Sequence, residues 1–60
     1  MDNVTAVGIA EGFIPCEDAA RIVEAWQHLI DTEMVWQLQG WFGRTASALI
    51  DQGICREKLL

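Results

Sequence analysis

The chain has 60 residues, a formal net charge of −5 and an apolar content of 52%. Sixty residues form one domain at most, near the lower size limit for independent folding. The acidic balance argues against direct nucleic-acid binding, because phosphate neutralisation needs a basic surface. Acidic membranes would repel the chain for the same reason.

The apolar content is high for so short a chain. A small domain buries too little surface to offset its conformational entropy, so such proteins usually add disulfides, a metal or a second subunit. The large residues Trp26, Trp36, Trp41, Phe13 and Phe42 exceed what one short core hides. We therefore expect a homo-oligomer, a dimer or larger.

Cys16 and Cys55 are the only cysteines. Two are too few for a disulfide scaffold, and no secretory signal precedes them, so we expect a reduced, cytoplasmic protein. A bridge between them is the open alternative. The apolar runs are too short to span a membrane.

Residues 1–12 show no helical period and contain several β-branched residues, so we expect a mobile or extended N-terminal arm. The next segment is clearer: Ala19, Ile22, Val23, Trp26, Leu29 and Ile30 recur on one helical face. This predicts an amphipathic helix over about 16–31, with Pro15 at its start and Trp26 in the core.

Asp31 and Thr32 predict the end of this helix. A short helical turn over 34–39 and a second main helix over about 42–52 follow, and Gly53 suits a position just after the second helix. The predicted fold is all-α, a small helical hairpin of two main helices. The predicted organisation is an N-terminal arm (1–12), a helical domain (13–55) and a C-terminal tail (56–60) whose last residues fray.

The candidate binding residues are concentrated where the two predicted helices meet: Trp36, Gln39, Trp41, Phe42 and Arg44. Arg44 could stack on an aromatic ring, or hold a carboxylate or phosphate in its planar fork. In the alternative, Trp36 and Trp41 fill the core, and Arg44 caps carbonyls or pairs with Asp51.

Other chemistry is poorly supported. Gly40 and Gly43 lack the spacing and following lysine of a phosphate loop, so we expect a backbone role, either a positive φ angle or a close helix approach. His28 is the sole histidine, and the cysteines are not at zinc-finger spacing. We therefore expect no metal, no cofactor, no nucleophilic triad and no enzymatic activity.

Glu17, Glu24 and Asp31 recur every seven residues. On one helix they would form an acidic stripe that could imitate phosphates. Arg21 and His28 interrupt it, so an ordinary solvated face is the simpler interpretation.

The segment from Trp26 to Cys55 resembles an uncharacterised family of small bacteriophage and prophage proteins. The shared pattern consists of Leu29-Ile30-Asp31-Thr32, Trp36-Gln37-Leu38-Gln39-Gly40, Gly43-Arg44-Thr45-Ala46, Leu49-Ile50, Gly53 and Cys55. Glu33 departs from it, because the pattern has glycine there. Glu33 must therefore either adopt a left-handed turn at some cost or let the helix continue.

The resemblance implies a phage accessory protein and carries over no activity. The first functional hypothesis is a non-enzymatic protein that binds a host or phage protein, for example as an inhibitor of a host or defence protein. The alternative is a self-assembling structural oligomer, or one that sequesters a small ligand. A DNA-binding regulator, suggested only by the helix-turn-helix-like residues 34–53, is disfavoured by the charge.

Overall fold

The structure is a computed structural model that describes residues 1–58. Within this range the chain forms three α-helices, α1 (Asn3–Glu11), α2 (Ala19–Asp31) and α3 (Gly40–Asp51). A 3₁₀ helix, Met34–Trp36, lies between α2 and α3. No residue among these 58 belongs to a β-strand, so the all-α prediction is confirmed.

The N-terminal segment is a helix, and the prediction of a mobile or extended arm was wrong. Asp2 caps α1, since its side chain accepts a hydrogen bond from the Thr5 N–H (2.7 Å), and this bond lowers the pKa of the Asp2 carboxyl. Gly12 ends the helix at a φ of 85°. The apolar residues of α1 are distributed around the whole helix and do not form one face. Its sequence therefore lacks the periodicity of an amphipathic helix.

The first two helices form an antiparallel hairpin. His28 Nε2 lies 2.8 Å from Asn3 Oδ1, which places the end of α2 beside the start of α1. Ala6 and Ile9 of α1 are buried, and the contact between α1 and α2 is the most extensive between two elements. The sequence predicted a hairpin of α2 and α3; the structure instead pairs α2 most closely with the segment expected to be an arm.

The sequence correctly predicted the apolar face of the amphipathic helix α2. The helix begins at Ala19, three residues later than expected. Asp18 is the N-cap, because its side chain accepts a hydrogen bond from the Ala20 N–H (3.0 Å). The face directed into the core buries Ala25, Trp26, Leu29 and Ile30. Trp26 is only 6% exposed, as the sequence predicted.

The sequence left open whether Glu33 adopts a left-handed turn or lets the helix continue, and the structure shows the left-handed turn. Glu33 has a φ of 64°, the one positive φ angle among the described non-glycine residues, and α2 ends at Asp31. The left-handed turn directs the chain into the 3₁₀ helix, where Val35 is fully buried. Residue 33 therefore has the conformation that glycine adopts most easily.

The third helix contributes Phe42 and Ala46 to the core and ends as predicted. Gly53 follows it with a φ of 76°, and the Gly53 N–H donates to the Ile50 carbonyl oxygen (3.0 Å). The Trp26 ring meets Phe42 at a centroid distance of 5.9 Å and Trp41 at 6.2 Å. This aromatic cluster joins α2 to the first turn of α3.

The C-terminal segment is held by one side chain of α2. The Gln27 amide donates to the Arg56 carbonyl oxygen (2.8 Å) and accepts from the Arg56 N–H (2.8 Å). The predicted tail (56–60) is thus anchored at its first residue, Arg56. The fraying predicted for the last residues falls on residues 59 and 60, which lie outside the described range. Beside this anchor, burial and the nearby Asp31 carboxylate raise the pKa of the Cys55 thiol. Cys16 and Cys55 are both free thiols.

Replacing Glu33 with glycine should stabilise the fold, because glycine adopts the left-handed conformation without steric cost. We expect Glu33→Gly to raise the free energy of unfolding by about 1 kcal/mol, because the left-handed strain that it relieves exceeds the backbone entropy that glycine adds to the unfolded chain. The exposed ion pair with Lys58 (3.6 Å) adds little, so its loss should not reverse the gain. Glu33→Ala is the matched control, since it removes the carboxylate and retains the Cβ atom. Urea titration that finds the glycine variant less stable than the alanine variant would contradict this assignment.

Removing the Gln27 amide should release the C-terminal segment. We expect Gln27→Ala to lower the free energy of unfolding by about 1 kcal/mol, because two exposed backbone groups of Arg56 lose their partner and bind water instead. Hydrogen exchange at the Arg56 amide should accelerate in the variant. The control is Gln52→Ala, at an exposed position just after α3. Equal Arg56 exchange in both variants would show that Gln27 does not hold the segment.

Candidate functional site

The predicted binding residues lie in the 3₁₀ helix and the first turns of α3, but they do not share one environment. Trp36 is 50% exposed and Trp41 is 36% exposed. Gln39 and Arg44 are exposed as well. Phe42 is 1% exposed and belongs to the core, so its ring is not available at the surface. The alternative in which Trp36 and Trp41 fill the core is therefore wrong for Trp36 and only partly correct for Trp41.

Trp36 lies against the outside of α3. A Cβ atom placed on Gly43 would be 3.6 Å from Trp36 Cε3, which is ordinary van der Waals distance, so the indole ring lies over Gly43. Trp36 also borders an open groove of about 300 Å³, together with residues of α3 and the C-terminal segment. The groove is lined by Ile30, Trp36, Ser47, Ile50, Asp51, Glu57 and Lys58. Its volume is at the lower limit of small-molecule pockets, and it is open to solvent.

Arg44 lies on the same side of α3 as the Trp36 ring. Its Nη1 atom would be 3.1 Å from a Cβ atom on Gly40, so the side chain turns back towards the start of the helix. Gly40 and Gly43 are three residues apart and lie on one helical face. Neither has a positive φ angle, and a Cβ atom on either would meet only the Arg44 side chain or the Trp36 ring. Neither of the two backbone roles expected for these glycines, a positive φ angle or a close helix approach, is therefore seen.

The contacts expected for a purely structural Arg44 are not formed in the described part of the chain. Within residues 1–58 its guanidinium makes no hydrogen bond, no ion pair with Asp51 and no cation–π contact with Trp41 or Phe42. A positive group near a helix N-terminus is also opposed by the macrodipole. No side chain caps this end of α3, because the N-cap residue Gln39 makes no capping bond.

Trp41 lies in the aromatic cluster. It stacks on Phe42 at a centroid distance of 4.0 Å and meets Trp26 edge-on. Trp41 therefore lies at the edge of the core, with part of its ring in solvent. Trp36, in contrast, packs on the outer surface of α3, over Gly43. The structure thus brings Trp36 and Arg44 onto one face and places Trp41 between surface and core.

His28 has a structural partner. Its Nε2 atom is hydrogen-bonded to Asn3, and this contact joins α1 to α2. In residues 1–58, no three side chains of the His, Cys, Asp and Glu types are arranged to hold a metal ion.

The acidic stripe is interrupted by the structure. Glu17 precedes α2, Glu24 forms an ion pair with Arg21 (3.7 Å) and Asp31 accepts a hydrogen bond from Gln27 (3.0 Å). The three acids therefore do not form one continuous helical face.

The sequence reasoning missed several exposed apolar residues. Val4 and Phe13 are each 81% exposed, and Ile14 is 39% exposed. One signal was present in the sequence: Phe13 follows a glycine and lies two residues before Pro15, a context typical of an exposed turn. In residues 1–58, no helix has the length and apolar character needed to cross a membrane.

These observations define a small all-α protein with an exposed tryptophan and an unpaired arginine on one helix face. The chain belongs to the family described as domain of unknown function DUF7417, whose model matches residues 16–59. The match includes α2, the 3₁₀ helix and α3, and α1 lies outside it. Comparison with curated proteins and with solved structures found no match.

Proposed function

We propose that the protein is a non-enzymatic accessory protein that acts by binding another protein through Trp36, Gln39, Trp41 and Arg44, here called the α3 surface. The observation that carries this proposal is the half-exposed Trp36 ring on the outside of α3. Exposed tryptophan and arginine are the residue types that contribute most to protein–protein binding. Arg44 supports the same interpretation, because its guanidinium has no acidic partner in residues 1–58.

The shape of the α3 surface favours a protein over a small ligand. The groove beside Trp36 is open, and its volume of about 300 Å³ suits an inserted side chain better than an enclosed molecule. Asp51, Glu57 and Lys58 line it together with apolar atoms, as in the mixed surfaces of transient interfaces. An acidic residue of the partner would complement Arg44 in a bidentate pair.

The biological setting is part of the proposal. The resemblance of residues 26–55 to small phage and prophage proteins supports an accessory role in a host-cell cytoplasm, with a host or phage protein as partner. Inhibition of a host or defence protein is one activity that such binding would provide. Self-association into a dimer or larger oligomer is also proposed, on the basis of the exposed Trp36 side chain.

A functional Arg44 should affect binding without affecting the fold. We expect Arg44→Ala to leave the free energy of unfolding within about 0.5 kcal/mol of wild type, since the side chain is exposed and opposes the helix dipole. Capture of the partner from host lysate by the immobilised protein should fall by about tenfold or more. Arg44→Lys should capture the partner better than Arg44→Ala but less well than the wild type, because lysine keeps the positive charge and lacks the planar fork.

The matched control is Arg21→Ala, at an exposed arginine of α2 that pairs with Glu24. It should capture the partner as the wild type does. Unfolding of Arg44→Ala would assign Arg44 to the scaffold. If Arg44→Ala and Arg21→Ala capture the partner equally well, the α3 surface is not the binding site. Recovery of the protein alone, together with sedimentation as an oligomer that Trp36→Ala dissociates, would favour the self-assembling alternative.

A further inference from the structure

The outer side of α1 carries apolar side chains that the core does not use. Val4 and Gly8 are one helical turn apart and so lie on the same side of α1. Ile14 folds back over Gly8: the Ile14 N–H donates to the Gly8 carbonyl oxygen (3.1 Å), and a Cβ atom on Gly8 would be 2.6 Å from Ile14 Cδ1. A Cβ atom at position 8 would therefore displace the Ile14 side chain from its place on the helix.

Phe13 completes this surface. It lies in the turn after α1, beside Ile14, and is 81% exposed, as is Val4. Val4, Phe13 and Ile14, here called the α1 surface, are the exposed apolar side chains of α1 and of the turn that follows it. The surface is held in place, because Ala6 and Ile9 on the inner side of the same helix are buried in the core. A partner would therefore meet a preformed surface.

The charged side chains of residues 1–20 are all acidic. Residues 1–20 contain four of the nine acidic residues and none of the lysines or arginines. These acids are Asp2, Glu11, Glu17 and Asp18, and all four are exposed. The first basic residue after them, Arg21, is paired with Glu24. The surface thus combines apolar anchors with an acidic rim that stays net negative, because the N-terminal ammonium near Asp2 offsets only one of the four charges.

We infer that the α1 surface binds a basic amphipathic segment of another protein, in which apolar side chains alternate with lysine or arginine at helical spacing. Such a segment would place its apolar face on Phe13 and Val4 and its positive charges against the acidic rim. A second copy of this chain fits less well, because a symmetric pair would bring the two acidic rims together. The α1 surface is separate from the α3 surface, and the two proposals are tested by different variants.

The test is an NMR titration of the ¹⁵N-labelled full chain with two synthetic helical peptides. Both peptides have the same leucine face. The polar face consists of lysine in the first, here called the lysine peptide, and of glutamate in the second, the glutamate peptide. The lysine peptide should give saturable shift changes centred on residues 2–18, and they should weaken as salt is added. The glutamate peptide should give none.

Phe13→Ser should weaken binding of the lysine peptide by about tenfold or more, because it removes the most exposed aromatic anchor. The double variant Glu11→Lys and Glu17→Lys should abolish binding of the lysine peptide. The matched controls are Ile54→Ser, at an exposed apolar residue outside the surface, and Asp51→Lys, at an exposed acid of α3. Both controls should bind as the wild type does.

Three results would overturn the inference. These are shift changes centred on Trp36 and Arg44, equal binding by Phe13→Ser and wild type, and the absence of saturable binding of the lysine peptide. Self-association that Phe13→Ser removes would assign the surface to a second copy instead. None of these outcomes depends on Arg44→Ala, so failure of this inference is distinguishable from failure of the proposed function.

Discussion

The contact of Trp26 with Phe42 and Trp41 is the interaction on which the rest of the structure depends. It joins α2 to α3, whose sequences are separated by a left-handed residue and a 3₁₀ helix. Aromatic pairs at these centroid distances stabilise beyond the area they bury. The edge-on arrangement of Trp26 and Trp41 also leaves part of the Trp41 ring in solvent. The core is thereby closed, and the start of α3 is fixed in position.

Both binding proposals depend on this closed core. With α3 fixed, Trp36 can lie over Gly43 and Arg44 can turn back towards Gly40 without entering the interior. With α2 fixed, α1 has an apolar face to pack against, and its outer side remains exposed. The domain model of the family matches residues 16–59, yet the buried Ala6 and Ile9 make α1 part of the same core.

The sequence predicted the features that local patterns determine. The apolar face of α2, the burial of Trp26 and the glycine after α3 follow from helical spacing and from terminal preferences. For Glu33 the sequence left a left-handed turn and a continued helix open, and the structure shows the left-handed turn. Each of these signals lies within a few neighbouring residues.

The remaining features depend on contacts between distant residues. Helix α1 is apolar on all sides, so it has no period, and its helical state becomes evident only when it packs against α2. The exposure of Trp36 depends on the direction in which the chain leaves Glu33, and burial of the adjacent Phe42 depends on its contact with Trp26. Sequence spacing alone therefore grouped a core residue, a boundary residue and three surface residues into one candidate site.

The most direct test of this account is the stability of Trp26→Ala relative to Trp36→Ala, measured by urea unfolding with circular dichroism. Both changes remove one tryptophan from neighbouring parts of the fold. The account predicts that Trp26→Ala loses about 3–5 kcal/mol, which is enough to unfold a domain of this size. It predicts that Trp36→Ala, at a half-exposed site, loses about 1 kcal/mol or less. Cooperative unfolding of Trp26→Ala near the wild-type midpoint would contradict the central role of this aromatic contact.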